Sequence, residues 1–307
     1  MNLETKLGRW VSAGLISTEQ ADAIRAVEGD AHPRGRVSLA SEALGYVGVA
    51  LVIGALLVGF GEVWVDLRFG SRSAVLAVAT AALVGAGWNL RNNPEPALER
   101  LGGFLWFASA GSFFGLAFII SERVLGFEDE TSASVGAGVL VAMFAFPLWR
   151  LRPRGLQQIA LVAGIVVALF AFGFNDLGVN GETLAGLLVA GFGAIWLLGS
   201  QTGWVVPRRT GEALGSLSVL VGMQTTGFDE AGWLFIGLVV QAGILGLGIV
   251  RDRNVLLGFG AAGLLLLVPQ FVTEAFGASL SAAGSVAIVG ALIVGVAVFM
   301  GRSRKTD

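Results

Sequence analysis

Five polar side chains fall as a group inside otherwise apolar stretches. They are Gln224, Thr225 and Thr226, then Gln241, then Gln270 directly behind Pro269. An amide in hydrocarbon costs several kcal/mol unless it is hydrogen-bonded, so these groups must face one another or water rather than lipid. Two arrangements meet that requirement. In one, the amides join neighbouring helices by hydrogen bonds, each contact contributing roughly 0.6 to 2 kcal/mol. In the other, Gln224, Gln241 and Gln270 line a polar vestibule that admits a neutral or weakly polar ligand. These three glutamines are the candidate ligand-binding residues.

Little else in the chain offers chemistry. There are no cysteines and a single histidine, His32, in a linker with no neighbouring ligand or acid. Thiolate nucleophiles, disulfides and most histidine-based metal sites are therefore excluded. Gly258-Phe259-Gly260-Ala261-Ala262-Gly263 has the spacing of a phosphate-cradling loop, but it opens an apolar segment with no strand before it. It reads as helix packing. Gly111 and Gly115 carry a similar helix-contact spacing. Asp129 and Glu130 are paired carboxylates that could bind a cation, with a solvated acidic loop as the reading favoured. No Asp, Glu, Lys or Arg falls in the middle of an apolar segment, although such groups are the usual mark of pumps and intramembrane hydrolases. No catalytic residue, metal or cofactor is expected, and the protein reads as a non-enzyme.

The elements that hold these residues are membrane helices. Of the 307 residues, 55% are hydrophobic and 14% charged, against about 25% charged in soluble domains. The 46 glycines suit a bundle in which small residues let helix backbones approach closely. Ten apolar segments follow one another, near 43–61, 73–90, 101–120, 134–149, 156–174, 183–198, 210–227, 231–250, 255–273 and 281–300. Each is about long enough to cross roughly 30 Å of hydrocarbon. The seventh is the least hydrophobic. The fold expected is all-α, a polytopic bundle of about ten transmembrane helices behind a short helical hairpin.

Basic residues set the orientation. Of the 20 lysines and arginines, only Arg68, Arg72 and Arg123 fall outside the arm, the tail and every second loop. The alternate loops are acidic, with Glu62, Asp66, Glu122, Asp176, Glu182, Asp229 and Glu274 among their residues. The positive-inside rule then puts both termini in the cytoplasm. Trp88, Trp106, Trp149 and Trp196 are expected in an aromatic belt at that boundary.

Residues 1–40 read as a soluble hairpin and linker, 41–301 as the transmembrane domain, and 302–307 as a basic cytoplasmic tail. No secretory leader is apparent, since the first apolar run begins behind a polar arm. Leu3, Leu7, Trp10 and Val11 mark one face of a first helix, and Gly14 a stop. Ser17-Thr18-Glu19-Gln20 fits a capping box that opens a second helix bearing Ala21, Ile24 and Val27. Leu7, Trp10 and Ile24 are the candidate partner-docking residues. An echo between Glu42-Ala43-Leu44-Gly45 and Glu212-Ala213-Leu214-Gly215 suggests a parallel repeat of 42–150 in 212–300, with chance in a glycine-rich chain as the competing account.

At Leu7-Gly8-Arg9-Trp10, Gly14-Leu15-Ile16-Ser17 and Glu19-Gln20-Ala21-Asp22-Ala23-Ile24, the arm resembles a bacterial family of predicted membrane proteins of unknown function, number 2157. That family opens with a W-x-x-x-G-L-I-S hairpin before several membrane helices. The resemblance implies a prokaryotic inner-membrane protein with no assigned activity. Two functions lead, a scaffold or sensor ahead of a carrier, with a membrane-embedded enzyme a distant third. One is a scaffold or sensor whose hairpin docks a cytoplasmic protein or a second copy, and it rests on the arm, on the absence of buried charge and on the missing chemistry. The other is a carrier or flippase for a small neutral or lipid-like solute, resting on ten helices and glycine-rich packing. The partner common to both is the lipid bilayer; nucleic acid is not expected.

Overall fold

The computed structural model describes residues 3–30, 67–127, 129–174, 181–226 and 231–276, with isolated helical positions at 284, 287, 290 and 291. The first expected segment, 43–61, lies outside the described residues. So does nearly all of the last, 281–300. The first helix of the suggested repeat of 42–150 in 212–300, and nearly all of its last, therefore lie there too. The chain divides into two compact units, Met1–Arg68 and Phe69–Asp307.

In the first unit, α1 spans Leu3–Ser12 and α2 spans Thr18–Asp30. The break between them is written in local chemistry. Gly14 takes φ +67, which costs glycine little. Its N–H donates to Val11 O at 3.0 Å and that of Leu15 to Trp10 O at 2.9 Å. This pair of bonds is the Schellman ending, which satisfies carbonyls the helix leaves open. The capping box forms as expected: Gln20 N–H donates to Ser17 Oγ (3.1 Å), and Ser17 N–H to Gln20 Oε1 (2.9 Å). Leu7 and Ala21 are buried, while Trp10 and Ile24 are half-buried.

The second unit contains eight described helices: α3 (Phe69–Leu90), α4 (Pro96–Arg123), α5 (Glu130–Leu151), α6 (Gly155–Phe174), α7 (Gly181–Gln201), α8 (Arg208–Thr226), α9 (Ala231–Val250) and α10 (Asn254–Phe276). They begin and end within a few residues of the expected segments. Seven of them are long and apolar enough to cross a membrane. The exception is α8. Its first turns carry Arg208, Arg209 and Glu212, and its body carries Ser216, Ser218 and Gln224. A helix this polar is tolerable because its neighbours cover it. It packs closely along α7 and touches α6, α9 and α10, and most of its length is buried. Polarity alone would make α8 a poor span; position makes it the core of the bundle.

The close pairs are α3 with α4, α5 with α6, α7 with α8, and α9 with α10. Glycines set their spacing. A Cβ on Gly138 of α5 would lie 2.6 Å from Ala168 N of α6, so the two backbones touch there. Gly260 similarly sits against Leu245 of α9, as the packing reading of the 258–263 motif required. Of the Gly111–Gly115 pair, only Gly115 faces a neighbouring helix. Gly111 meets nothing within 4 Å, and Gly115 meets only the side chain of Leu76. Spacing finds a smooth helix face, but the facing helix decides whether it is used.

The tryptophans also depart from expectation. Trp106, Trp149 and Trp196 are buried in the protein rather than set in a belt at the lipid boundary. Each indole N–H needs an acceptor, and the protein supplies one. Trp106 donates to Val84 O (3.2 Å) and Trp149 to Val206 O (2.7 Å). Among the described residues, Trp88 and Trp204 are exposed, with Arg91 stacked 3.5 Å over the Trp88 ring.

Candidate functional site

Two polar zones lie at different depths of the second unit. The first is the glutamine group read from the sequence. Gln224 of α8 and Gln270 of α10 meet: Gln270 Nε2 donates to Gln224 Oε1 at 3.1 Å. The bond leaves Gln224 Nε2 and Gln270 Oε1 buried without a partner. Gln241, near the middle of α9, is fully buried and has no partner on either amide atom. It lies against Gly263 of α10, where a Cβ would come within 2.4 Å of Gln241 Cδ. The bare glycine is what makes room for the amide. The structure thus joins Gln224 to Gln270 and leaves Gln241 as a separate, unsatisfied group.

The second zone was not singled out from the sequence. Glu212 stands five residues into α8 and is fully buried. The expectation of no buried charge is corrected here: Glu212 sits at a segment end by sequence, but it is buried, with Gln201 of α7 and Arg253 of the loop before α10 beside it. Its Oε1 accepts from Arg208 Nε (3.0 Å) and Gln201 Nε2 (3.1 Å), with Arg253 Nε 4.0 Å away. Arg208 Nη2 also donates to Gln201 Oε1 at 2.6 Å. Glu212 Oε2 has no partner. One turn further along α8, on the same face, Ser216 is buried and its Oγ is also unpartnered.

Around this zone the arginine-bearing loops are tied to one another. Glu99 Oε1 of α4 receives Arg152 Nη2 and Arg154 Nη2, each at 2.5 Å, from the loop between α5 and α6. Gln157 Nε2 donates to Gly103 O at 2.8 Å. With its amide turned to suit its neighbours, Gln158 accepts from Trp196 Nε1 (3.0 Å) and Gly211 N (3.3 Å) and donates to Pro207 O (3.2 Å). The loops that carry Arg152 and Arg253 and the start of α8 at Arg208 therefore meet at one end of the unit. A signal for Glu212 was present in its surroundings. Gly211, Gly215 and Gly222 mark the face of α8 that abuts α7, which places Glu212 beside a closely packed seam rather than in a loop.

Among the described residues no group of three or more His, Cys, Asp or Glu side chains is placed to hold a metal ion. Asp129 caps α5, accepting from Ser132 N at 2.7 Å, and this backbone hydrogen bond holds its carboxyl below the usual range. It is a helix cap in the acidic loop.

A family model described as predicted membrane protein (DUF2157) matches residues 8–148. This is a membrane protein. The resemblance carried by the arm is borne out, and the match runs on to the last turn of α5. No curated protein and no solved structure matches the chain. Both polar zones, centred on α8, α9 and α10, lie beyond the matched stretch. What they do has to be argued from their own geometry.

Proposed function

We propose that the protein is a carrier for a small uncharged or lipid-like solute in a prokaryotic cytoplasmic membrane, with both termini in the cytoplasm. The observation that carries this reading is Gln241: a fully buried amide near the middle of an apolar helix, with neither its donor nor its acceptor used. A buried polar group left without a partner costs about 1–3 kcal/mol, so a chain that keeps one has a use for it. Carriers commonly hold their substrate near the bilayer midplane. The free atoms of Gln224 and Gln270 extend the polar surface toward the acidic end of the same helices. The amides are neutral, which suits an uncharged ligand better than an ion.

The scaffold reading drew on the arm, the missing chemistry and an absence of buried charge, and the burial of Glu212 removes the last of these. Docking through the arm keeps one observation in its favour. Leu15 in the turn is 71% exposed, beside half-buried Trp10.

The vestibule has a direct test, since the chain has no cysteine of its own. Gln224→Cys and Gln270→Cys should each react with a membrane-impermeant thiol reagent added from outside the cell. Absence of labelling at both positions in folded protein would rule out a vestibule that opens outward. Orientation is checked separately. A reporter fused after Asp307 should be active only as a cytoplasmic-type reporter, from the near-exclusive placement of basic residues on alternate loops. A periplasmic signal from that fusion would overturn the topology.

A further inference from the structure

We infer that Glu212 Oε2 and Ser216 Oγ form a second binding site, at the arginine-rich end of α8, for the O–H or N–H group of an uncharged solute. This inference rests on the carrier reading and adds to it the chemical class of the substrate.

The two atoms are unusual in their surroundings. A serine within a helix ordinarily returns its hydroxyl to a carbonyl three or four residues back. Ser109, Ser200 and Thr226 do so, donating to Trp106 O (2.6 Å), Leu197 O (2.7 Å) and Met223 O (3.0 Å). Ser216 is just as buried and makes no such bond. An ionised carboxylate offers about four acceptor positions. On Glu212 all the bonds gather on Oε1, and Oε2 takes none. Because Glu212 and Ser216 are separated by four residues, the free oxygen and the free hydroxyl share one helix face.

The charges select what fits. Among the described residues, the charged groups facing Glu212 are Arg208 of its own helix and Arg253 from the loop before α10; Gln201 of α7 contributes a neutral amide. Two guanidiniums against one carboxylate leave the site net positive, so a further cation is repelled. An anion is refused because the atom left free is itself a carboxylate oxygen. What remains is an uncharged molecule that donates a hydrogen bond to Oε2 and exchanges one with Ser216 Oγ. A polyol or an amide has those groups.

Urea and guanidinium make a suitable pair of probes, since they are alike in size and shape and differ in charge. Purified full-length protein is reconstituted into liposomes, and solute influx is followed by light scattering after an osmotic step with urea, glycerol or guanidinium chloride. Urea and glycerol should enter faster than in protein-free vesicles, and guanidinium should not. Ser216→Ala removes a hydroxyl that bonds to nothing in the protein, so the variant should fold with an unchanged melting temperature. It should slow urea and glycerol influx about two- to tenfold, the effect of one lost hydrogen bond. Glu212→Gln, which keeps the acceptor used by Arg208, should slow them further. Urea influx at wild-type rate in both variants would overturn this site and leave the carrier reading standing. Guanidinium influx equal to that of urea would overturn the inferred substrate class. If none of the three solutes enters faster than in empty vesicles, the carrier reading falls and this site with it.

Discussion

Replacing Gly222 by alanine should destabilise the protein by about 3 kcal/mol or more, while the same change at Gly191 should be neutral or stabilising by up to about 1 kcal/mol. The contrast follows from what each new methyl group would meet. At Gly222, a Cβ would lie 2.4 Å from Ala190 N and 2.5 Å from Gly186 O, both backbone atoms of α7. Backbone cannot turn aside as a flexible side chain can, so the two helices would have to separate. They are also in contact a second time along the same seam, where a Cβ on Gly193 would come 2.6 Å from Val219 N. Separation at one crossing would strain the other. The polar helix α8 depends on α7 for cover, so loosening the pair exposes Ser218 and Ser216 to lipid as well. Gly191 meets nothing within 4 Å and lies on an exposed face, where alanine only improves helix propensity. Thermal unfolding of the two purified variants in the same detergent checks the difference. Equal melting temperatures would show that the α7–α8 seam does not hold the bundle together.

Much of this architecture was legible in the sequence because local chemistry determines it. The end of α1 needed only Gly14, and the start of α2 only Ser17 and Gln20, since each motif closes its own hydrogen bonds. The apolar segments from α3 onward were legible from length and hydropathy, because lipid imposes both. What was not legible depends on which face meets which neighbour. Gly111 and Gly222 look alike in sequence, but one faces open space and the other a backbone. Trp106 and Trp88 both stand near a segment end, and only the first turns inward to reach Val84 O.

Glu212 is the clearest case. Its partner Arg208 is one turn away and could be read from spacing, but Arg253 lies beyond the next helix, in the loop before α10. Whether a carboxylate at a helix end is solvated or sealed depends on how the neighbouring loops fold over it. The glycines around it, Gly211 and Gly215, point to a packed seam nearby, but not to the seal. The glutamines were legible in part. Their polarity in an apolar setting marked all three, yet the meeting of Gln224 with Gln270 and the isolation of Gln241 against Gly263 belong to the packing of α8, α9 and α10.

The central claim is that the amide of Gln241 serves a ligand rather than the fold, and Gln241→Leu separates the two. Both side chains have similar volume, and leucine leaves no polar atom buried. If the amide has no role in stability, the change should hold or raise the melting temperature, by as much as about 1–3 kcal/mol of relieved desolvation. If the amide binds solute near the midplane, the same change should abolish the protein-dependent influx of glycerol and urea into liposomes. The decisive measurement is that influx, recorded for wild type and Gln241→Leu at matched protein density alongside their melting temperatures. The account predicts a variant at least as stable as wild type that carries no solute. A variant equally stable and still carrying solute at the wild-type rate would contradict it.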